Sequence, residues 1–242
     1  MNRPIDITAV LNMHAEGVFA GPSLVSFDQT IETARLAGLA VEGLIVLDRA
    51  SMETRQQVVA TSHKIIETDF GDPGLARNAA VSQANGVFVG FLDGDDLWYR
   101  NWLLLAHRFC LAEPELTIAH SEYNIIFGMQ RHLAAHVDSR SPNFYHDFMR
   151  YNNYWDSLSF AMRNIYIQYP FALTDRNLGF GHEDWHWNCL TLSVGIDHRP
   201  VPGTVHFKRR RRTGSNLNQN NAVNAIPWMT PMASFEWKIP SP

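Results

Sequence analysis

The chain has 242 residues, enough for one large α/β domain or two small ones. Hydrophobic residues make up 45% and charged residues 18%, which excludes a disordered chain, and a net charge of −4 gives no general attraction to nucleic acid. No apolar run reaches bilayer-spanning length, and Met1 to Asp6 lacks the apolar core of a signal peptide. A cytoplasmic protein is expected, with any membrane contact peripheral at the inner face or made by another part of a larger protein. Cys110 and Cys189 sit in apolar surroundings without metal-like spacing, so two free thiols are expected.

Ile5 to Leu11 is a short apolar run rich in β-branched residues and predicts a buried first strand. Ser23 reads as the N-cap of a helix whose apolar spacing runs from Leu24 to Leu39. Gly43 to Leu47 predicts a second strand ending at Asp48, Ser51 to Ser62 a helix, and His63 to Glu67 a third strand. Pro73 to Ala84 predicts a helix closed by Asn85-Gly86, and Val87 to Leu92 a fourth strand. Such alternation implies parallel strands with helices on both faces, whose ligands gather at the strand carboxyl ends. Asn12, Asp48 and Asp93 each follow an apolar strand and are expected in one crevice.

Further on, Trp102 to Leu111 reads as helix, Thr117 to Phe127 and Ser157 to Met162 as strands, Gly181 to Leu192 as helix and Gly203 to Lys208 as a last strand. An aromatic, Asn-rich segment spans Asn143 to Trp155, and Asn216 to Asn221 reads as a polar, mobile tail.

Asp93-Gly94-Asp95-Asp96 places three carboxylates in four residues at the end of a buried strand. Their mutual repulsion is relieved by a divalent cation, and hard Mn²⁺ or Mg²⁺ prefers carboxylate oxygens while leaving positions open for phosphate. The alternative is a solvated acidic turn with Asp96 capping the next helix.

Leu75-Ala76-Arg77-Asn78-Ala79-Ala80, then Ala84-Asn85-Gly86, then Phe91-Leu92-Asp93-Gly94-Asp95-Asp96-Leu97-Trp98 resembles the central signature of the family 2 glycosyltransferases of GT-A fold. The resemblance covers roughly residues 5 to 215 in order. It implies an α/β GT-A (Rossmann-like) single domain, a mostly parallel sheet with helices on both faces. Residues 1–110 would form the nucleotide-sugar half, 111–215 the acceptor half and 216–242 a C-terminal tail. It further implies a nucleotide-sugar donor, with Asp93 near its ribose, Asp95 on the metal, Arg77 on the nucleotide side and Asp48 at the base. The first loop, Leu11-Asn12-Met13-His14-Ala15-Glu16, departs from the family's Pro-x-Tyr-Asn form, and Asp48 is followed by Arg49 where the family pairs aspartates.

A sugar transfer that inverts the anomeric centre needs a base opposite the leaving diphosphate. Glu183-Asp184-Trp185 resembles the family's Glu-Asp-Trp element, which implies Asp184 as that base, Glu183 shaping the acceptor pocket and Trp185 lining it. The alternative is a helix start favoured by acidic residues. The same stretch, His182-Glu183-Asp184-Trp185-His186, also spells the His-Glu-x-x-His pattern of zinc hydrolases.

Lys208 to Arg212 is an unbroken basic run, preceded by His206 and followed by Thr213-Gly214-Ser215. It resembles a late Tyr-Arg-Arg-like family segment, and Arg209 is expected to fork onto the donor diphosphate. His206 would complete the metal shell, as a late histidine does in some GT-A enzymes, or serve as a core histidine. Arginines pointing outward form a solvated face or meet anionic lipid head groups. Tyr151, Tyr154, Trp155, Trp185 and Trp187 offer sugar-stacking rings, Trp185 foremost. The processive Gln-x-x-Arg-Trp element is absent.

The expected activity is inverting transfer of a sugar from a nucleotide-diphosphate donor to a hydroxyl of a glycan or lipid-linked acceptor. The alternatives are a catalytically silent sugar-nucleotide-binding or scaffold domain and the zinc hydrolase.

Overall fold

The computed structural model describes residues 4–113, 116–212 and 215–233; Met1 to Arg3, Thr213-Gly214 of the basic segment and residues 234–242 lie outside the described residues. The strands are β1 (Ile7–Met13), β2 (Val41–Asp48), β3 (Lys64–Thr68), β4 (Phe88–Asp93), β5 (Leu97–Trp98), β6 (Thr117–Gly128), β7 (His132–Ala135), β8 (Phe160–Met162) and β9 (Asp197–Arg210). The helices are α1 (Ala20–Leu36), α2 (Met52–Gln57), α3 (Pro73–Gln83), α4 (Trp102–Ala112), α5 (Arg163–Gln168), α6 (Glu183–Ser193) and α7 (Asn216–Ala222).

One sheet runs β3-β2-β1-β4-β8-β6-β9-β5, with β7 added on β6. Strands β3, β2, β1 and β4 are mutually parallel, β8 runs against both β4 and β6, and β6 pairs with β9 in parallel. Both faces of β1, β2 and β4 are covered, so these strands are apolar almost throughout, whereas the edge strand β3 is largely exposed. Ile7, Ala9 and Leu11 face a core closed by Phe27 and Ile31 of α1 and Trp102 of α4. Val10, Leu44, Val46 and Phe91 face the other core, closed by Ala76 and Ala80 of α3, Tyr166 of α5 and Trp187 of α6. A third, smaller cluster of Phe144, Met149, Trp155, Cys189 and Leu192 packs the aromatic segment on α6. Both cysteines are free. Among the described residues, no helix is long and apolar enough to cross a membrane.

Several boundaries differ from the sequence expectation. Helix α1 starts at Ala20, and Ser23 lies inside it, its hydroxyl donating to the Phe19 carbonyl at 3.3 Å. Pro22 is tolerated there because N–H groups of the first helical turn have no intrahelical acceptor. Ser51 does cap α2, accepting from Thr54 N, but the helix ends at Gln57. Asp96 caps nothing: it is buried, and α4 begins after Asn101. Strand β9 begins well before Gly203, and its register against β6 shifts where Pro202 and Gly203 form an irregularity. The polar stretch read as a mobile tail is the helix α7, capped by Ser215 accepting from Asn218 N.

Candidate functional site

The parallel register puts Asn12 beside Asp93, and β2 ends two residues beyond their level at Asp48. All three line one cavity of about 680 Å³, whose opposite wall is made by α6, α7 and residues 151–157. Of the residues singled out from sequence, Asn12, Asp48, Arg77, Asp93, Asp95, Glu183, Asp184, Trp185 and Arg209 line it.

His206 does not line the cavity. It is 0% exposed, its ring packs edge-on against Trp102 at 4.5 Å, and burial drives its pKa down to about 3. The structure thus places it as a neutral core histidine behind the wall.

Each strand-end group is held by a different device. The Asp48 carboxylate accepts from Thr68 Oγ1 at 3.0 Å, Phe70 N at 2.7 Å and Asp72 N at 3.0 Å, and so fixes the loop leading into α3. Arg49, which follows it, adopts a left-handed φ of 48° and reaches Asp69 at 2.7 Å, away from the role a second aspartate would take. Asn12 is only 9% exposed, yet neither its amide oxygen nor its amide nitrogen has a partner. An unsatisfied buried amide costs about 1–3 kcal/mol per group, a cost that water or a polar ligand in the cavity can offset.

Arg77 is no surface ion-pair residue. It is 2% exposed on α3 and spans the cavity floor, Nη2 donating to Asp93 Oδ1 at 2.7 Å and Nη1 to Glu183 Oε1 at 2.9 Å. Ser157 donates to the other Asp93 oxygen at 2.9 Å. Burial alone would raise Asp93, but the charges of Arg77 and Lys208 outweigh it and hold the carboxyl below its ordinary range.

Gly94 lets the acidic turn fold tightly: a Cβ there would stand 2.9 Å from the Asn12 carbonyl and 3.1 Å from the Glu16 carboxyl carbon. The turn thereby brings Asp95 close to Glu16. Burial pushes Asp95 up to about 6; Arg211 opposes this, while the Glu16 and Asp93 charges add to it. Arg211 Nε lies 2.7 Å from Asp95 Oδ2, an ion pair by distance without an aligned hydrogen bond.

Asp96 turns the other way. It takes Lys208 Nζ at 3.0 Å and Arg209 N at 2.7 Å, and Lys208 also lies 3.4 Å from Asp156. Asp156 is held ionised because Lys208 and His136 outweigh its burial. The Arg209 guanidinium stands over Phe19 at 4.3 Å and Phe127 at 4.5 Å, with Nε donating to the Asp95 carbonyl at 3.2 Å.

Across the cavity, Asp184 sits in the first turn of α6, with Oδ1 accepting from Trp185 N at 2.8 Å. Burial raises its pKa against the opposing charge of Arg77. Glu183 is fully engaged by Arg77 and by Asn216 Nδ2 at 2.9 Å, which ties α7 to the wall. His182 lies outside α6 with a left-handed φ of 55°, so it does not form with His186 the one-turn pair of a helical zinc site. Among the described residues, no three His, Cys, Asp or Glu side chains form a ready-made metal cage.

Glu16, Asp156, Lys208 and Arg211 also line the cavity and were not singled out as site residues from sequence. For Lys208 a signal existed: Thr204, His206 and Lys208 alternate inward along β9, so the middle of a basic run has one buried member. Asp156, in an irregular aromatic segment, carried none.

The family model described as glycosyl transferase family 2 matches residues 26–168. No curated protein matches in sequence. Among solved structures, the fold is similar to the mannosyltransferase PcManGT from Pyrobaculum calidifontis in complex with GDP-Man and Mn²⁺. The TM-score is 0.62 at 16% identity, over 96% of this chain and 67% of that one. It is also similar to S. aureus TarS 1–349 in complex with UDP-GlcNAc, with a TM-score of 0.59 at 17% identity over 88% of this chain. This chain spans 61% of TarS 1–349 and 38% of the longer TarS structure.

Proposed function

The chain belongs to glycosyl transferase family 2, and from that premise we propose that it is an inverting glycosyltransferase working in the cavity between β4 and α6. One observation carries the reading: Asp93 and Asp95 on one wall and a desolvated Asp184 on the other share a single 680 Å³ space. That volume suits a nucleotide sugar with room for an acceptor hydroxyl.

The nucleotide would lie along the ends of β1, β2 and β4, where the unpartnered Asn12 amide offers a donor and an acceptor. Asp93 would take the ribose and Arg209, with Arg211 beside it, the diphosphate. The residues around Asp95 fit a divalent cation by their chemistry, because the carboxylates of Asp95, Glu16 and Asp93 line one stretch of the cavity wall and offer hard oxygen ligands, with Arg211 now paired to Asp95. Bound Mn²⁺ or Mg²⁺, held by Asp95, would neutralise charge on the departing diphosphate. Asp184 accepts the proton of the acceptor hydroxyl as its oxygen attacks the anomeric carbon and the carbon–phosphate-oxygen bond breaks. A carboxylate raised by burial is a stronger base than an exposed one, so the microenvironment of Asp184 suits that task. Glu183 acts through Arg77 and Asn216, joining the two walls rather than meeting substrate.

The test is nucleotide release with Mn²⁺ and a donor panel that includes UDP-GlcNAc and GDP-Man. Asp95→Ala and Asp184→Ala should each abolish it, and NMR of the product should show the anomeric configuration opposite to the donor's. Donor binding without turnover, unaltered by Asp184→Ala, would support a silent binding domain instead. Retention of the donor's anomeric configuration would sink the single-displacement mechanism.

A further inference from the structure

Three aromatic side chains stand on the cavity wall: Tyr151, Trp155 and Trp185. Two are committed to the protein. Trp155 stacks on His198 at 4.4 Å and donates to the Val137 carbonyl at 2.8 Å. Trp185 donates through Nε1 to the Met149 carbonyl at 2.7 Å and packs in the third cluster. Tyr151 is different: the residue is 79% exposed, and its ring meets no other aromatic ring among the described residues.

The backbone that carries Tyr151 is nevertheless held on both sides. Before it, the Met149 carbonyl accepts from Trp185, and Cys189 Sγ lies 3.8 Å from the same oxygen. After it, Asn188 Nδ2 donates to Asn153 Oδ1 at 3.0 Å. All three anchors come from α6, the helix whose first turn carries Asp184. The segment that bears Tyr151 is thus anchored on α6, whose first turn carries Asp184, and both residues line the cavity. Tyr151 combines exposure with a place on the cavity wall, so its ring is open to a ligand. The electron-rich face of an aromatic ring suits the C–H face of a sugar ring, whose hydrogens carry partial positive charge.

We propose that Tyr151 is the stacking platform for a pyranose ring of the acceptor, so that the acceptor is a glycan rather than an acyclic polyol or a peptide hydroxyl. The inference rests on the transferase reading of the cavity. Stacking on the Tyr151 ring holds the acceptor sugar, and the Asp184 carboxylate takes the proton of one of its hydroxyls. The phenol hydroxyl has no part in this, so another aromatic residue serves as well.

The experiment is steady-state transfer by the full chain with Mn²⁺ and whichever donor the wild type turns over. Acceptors are a panel of octyl β-hexopyranosides and disaccharides, with acyclic alditols and serine peptides as the other arm. Tyr151→Ala should raise the pyranoside KM about ten-fold or more, as loss of one aromatic stacking surface does. Tyr151→Phe and Tyr151→Trp should keep the wild-type value, and the donor KM should not move in any variant. A Tyr151→Ala protein with wild-type pyranoside KM overturns the proposal, as does a wild type that turns over donor but transfers to none of the pyranosides. A wild type that neither binds nor turns over any donor removes the transferase reading and this inference together, and the absence of donor binding tells that case apart.

Discussion

The two walls of the cavity are built by different means. On the proposed donor side, Asn12, Asp48 and Asp93 sit at the ends of adjacent parallel strands, and main-chain ladders fix their spacing. On the proposed acceptor side, Asp184, Tyr151 and Asp156 stand on a helix start and an irregular segment, held by side-chain hydrogen bonds such as Trp185 to Met149 and Asn188 to Asn153. A ladder-built wall keeps its geometry whatever its side chains are. A side-chain-built wall can change specificity through single substitutions, as loops on a rigid scaffold commonly do. Arg77 joins the two through Asp93 and Glu183, so it is where the division can be tested first.

Arg77→Met should have the largest effect, because it leaves the buried Glu183 and the half-buried Asp93 without the cation that bridges them. A loss of about 3–5 kcal/mol is expected, read from urea unfolding; a change within error would mean that the walls are independent. Next comes the Lys208 bridge. Lys208→Met and Asp156→Asn should couple by about 0.5–3 kcal/mol in a double-mutant cycle, and additivity would show that Asp156 is solvated rather than paired. Smaller still, Trp185→Phe removes one hydrogen bond to the acceptor segment, worth about 0.5–1.5 kcal/mol. It should raise acceptor KM while leaving donor KM alone; an equal rise in both would erase the distinction between the walls.

As the proposed base, Asp184 should also set a pH dependence. Its pKa is raised by burial, and only the ionised form accepts a proton, so kcat/KM should fall as pH drops through a value above the ordinary 3.8 of an aspartate. Absence of that acid limb in the wild type, measured against donor binding at each pH, would assign the base elsewhere.

The donor wall was legible in the sequence because its determinants are local. Ile5 to Leu11, Gly43 to Leu47 and Val87 to Leu92 are apolar runs that end in polar residues, and a parallel sheet brings such ends together. The acceptor wall was legible only at Glu183-Asp184-Trp185. Tyr151 looked like any other aromatic in a crowded segment, since only tertiary packing separates Trp155, stacked on His198, from Tyr151, facing solvent. His206 carried two readings, metal ligand and core histidine, and the pleat of β9 turns it against Trp102. Helix α7 was missed because its Asn-rich sequence has poor helix propensity. Ser215 capping and the contacts of Asn216 with Glu183 and of Asn220 with Arg176 supply what propensity does not.

The central claim is that one cavity holds a donor on Asp93 and Asp95 and deprotonates an acceptor at Asp184. Donor affinity and transfer rate measured side by side for Asp184→Asn and Asp95→Asn test it most directly. Asp184→Asn should lose about 10²–10⁴-fold in transfer at unchanged donor Kd, whereas Asp95→Asn should lose both Mn²⁺-dependent donor affinity and rate. Transfer by Asp184→Asn within two-fold of wild type, or a parallel loss of donor affinity in that variant, would contradict the account.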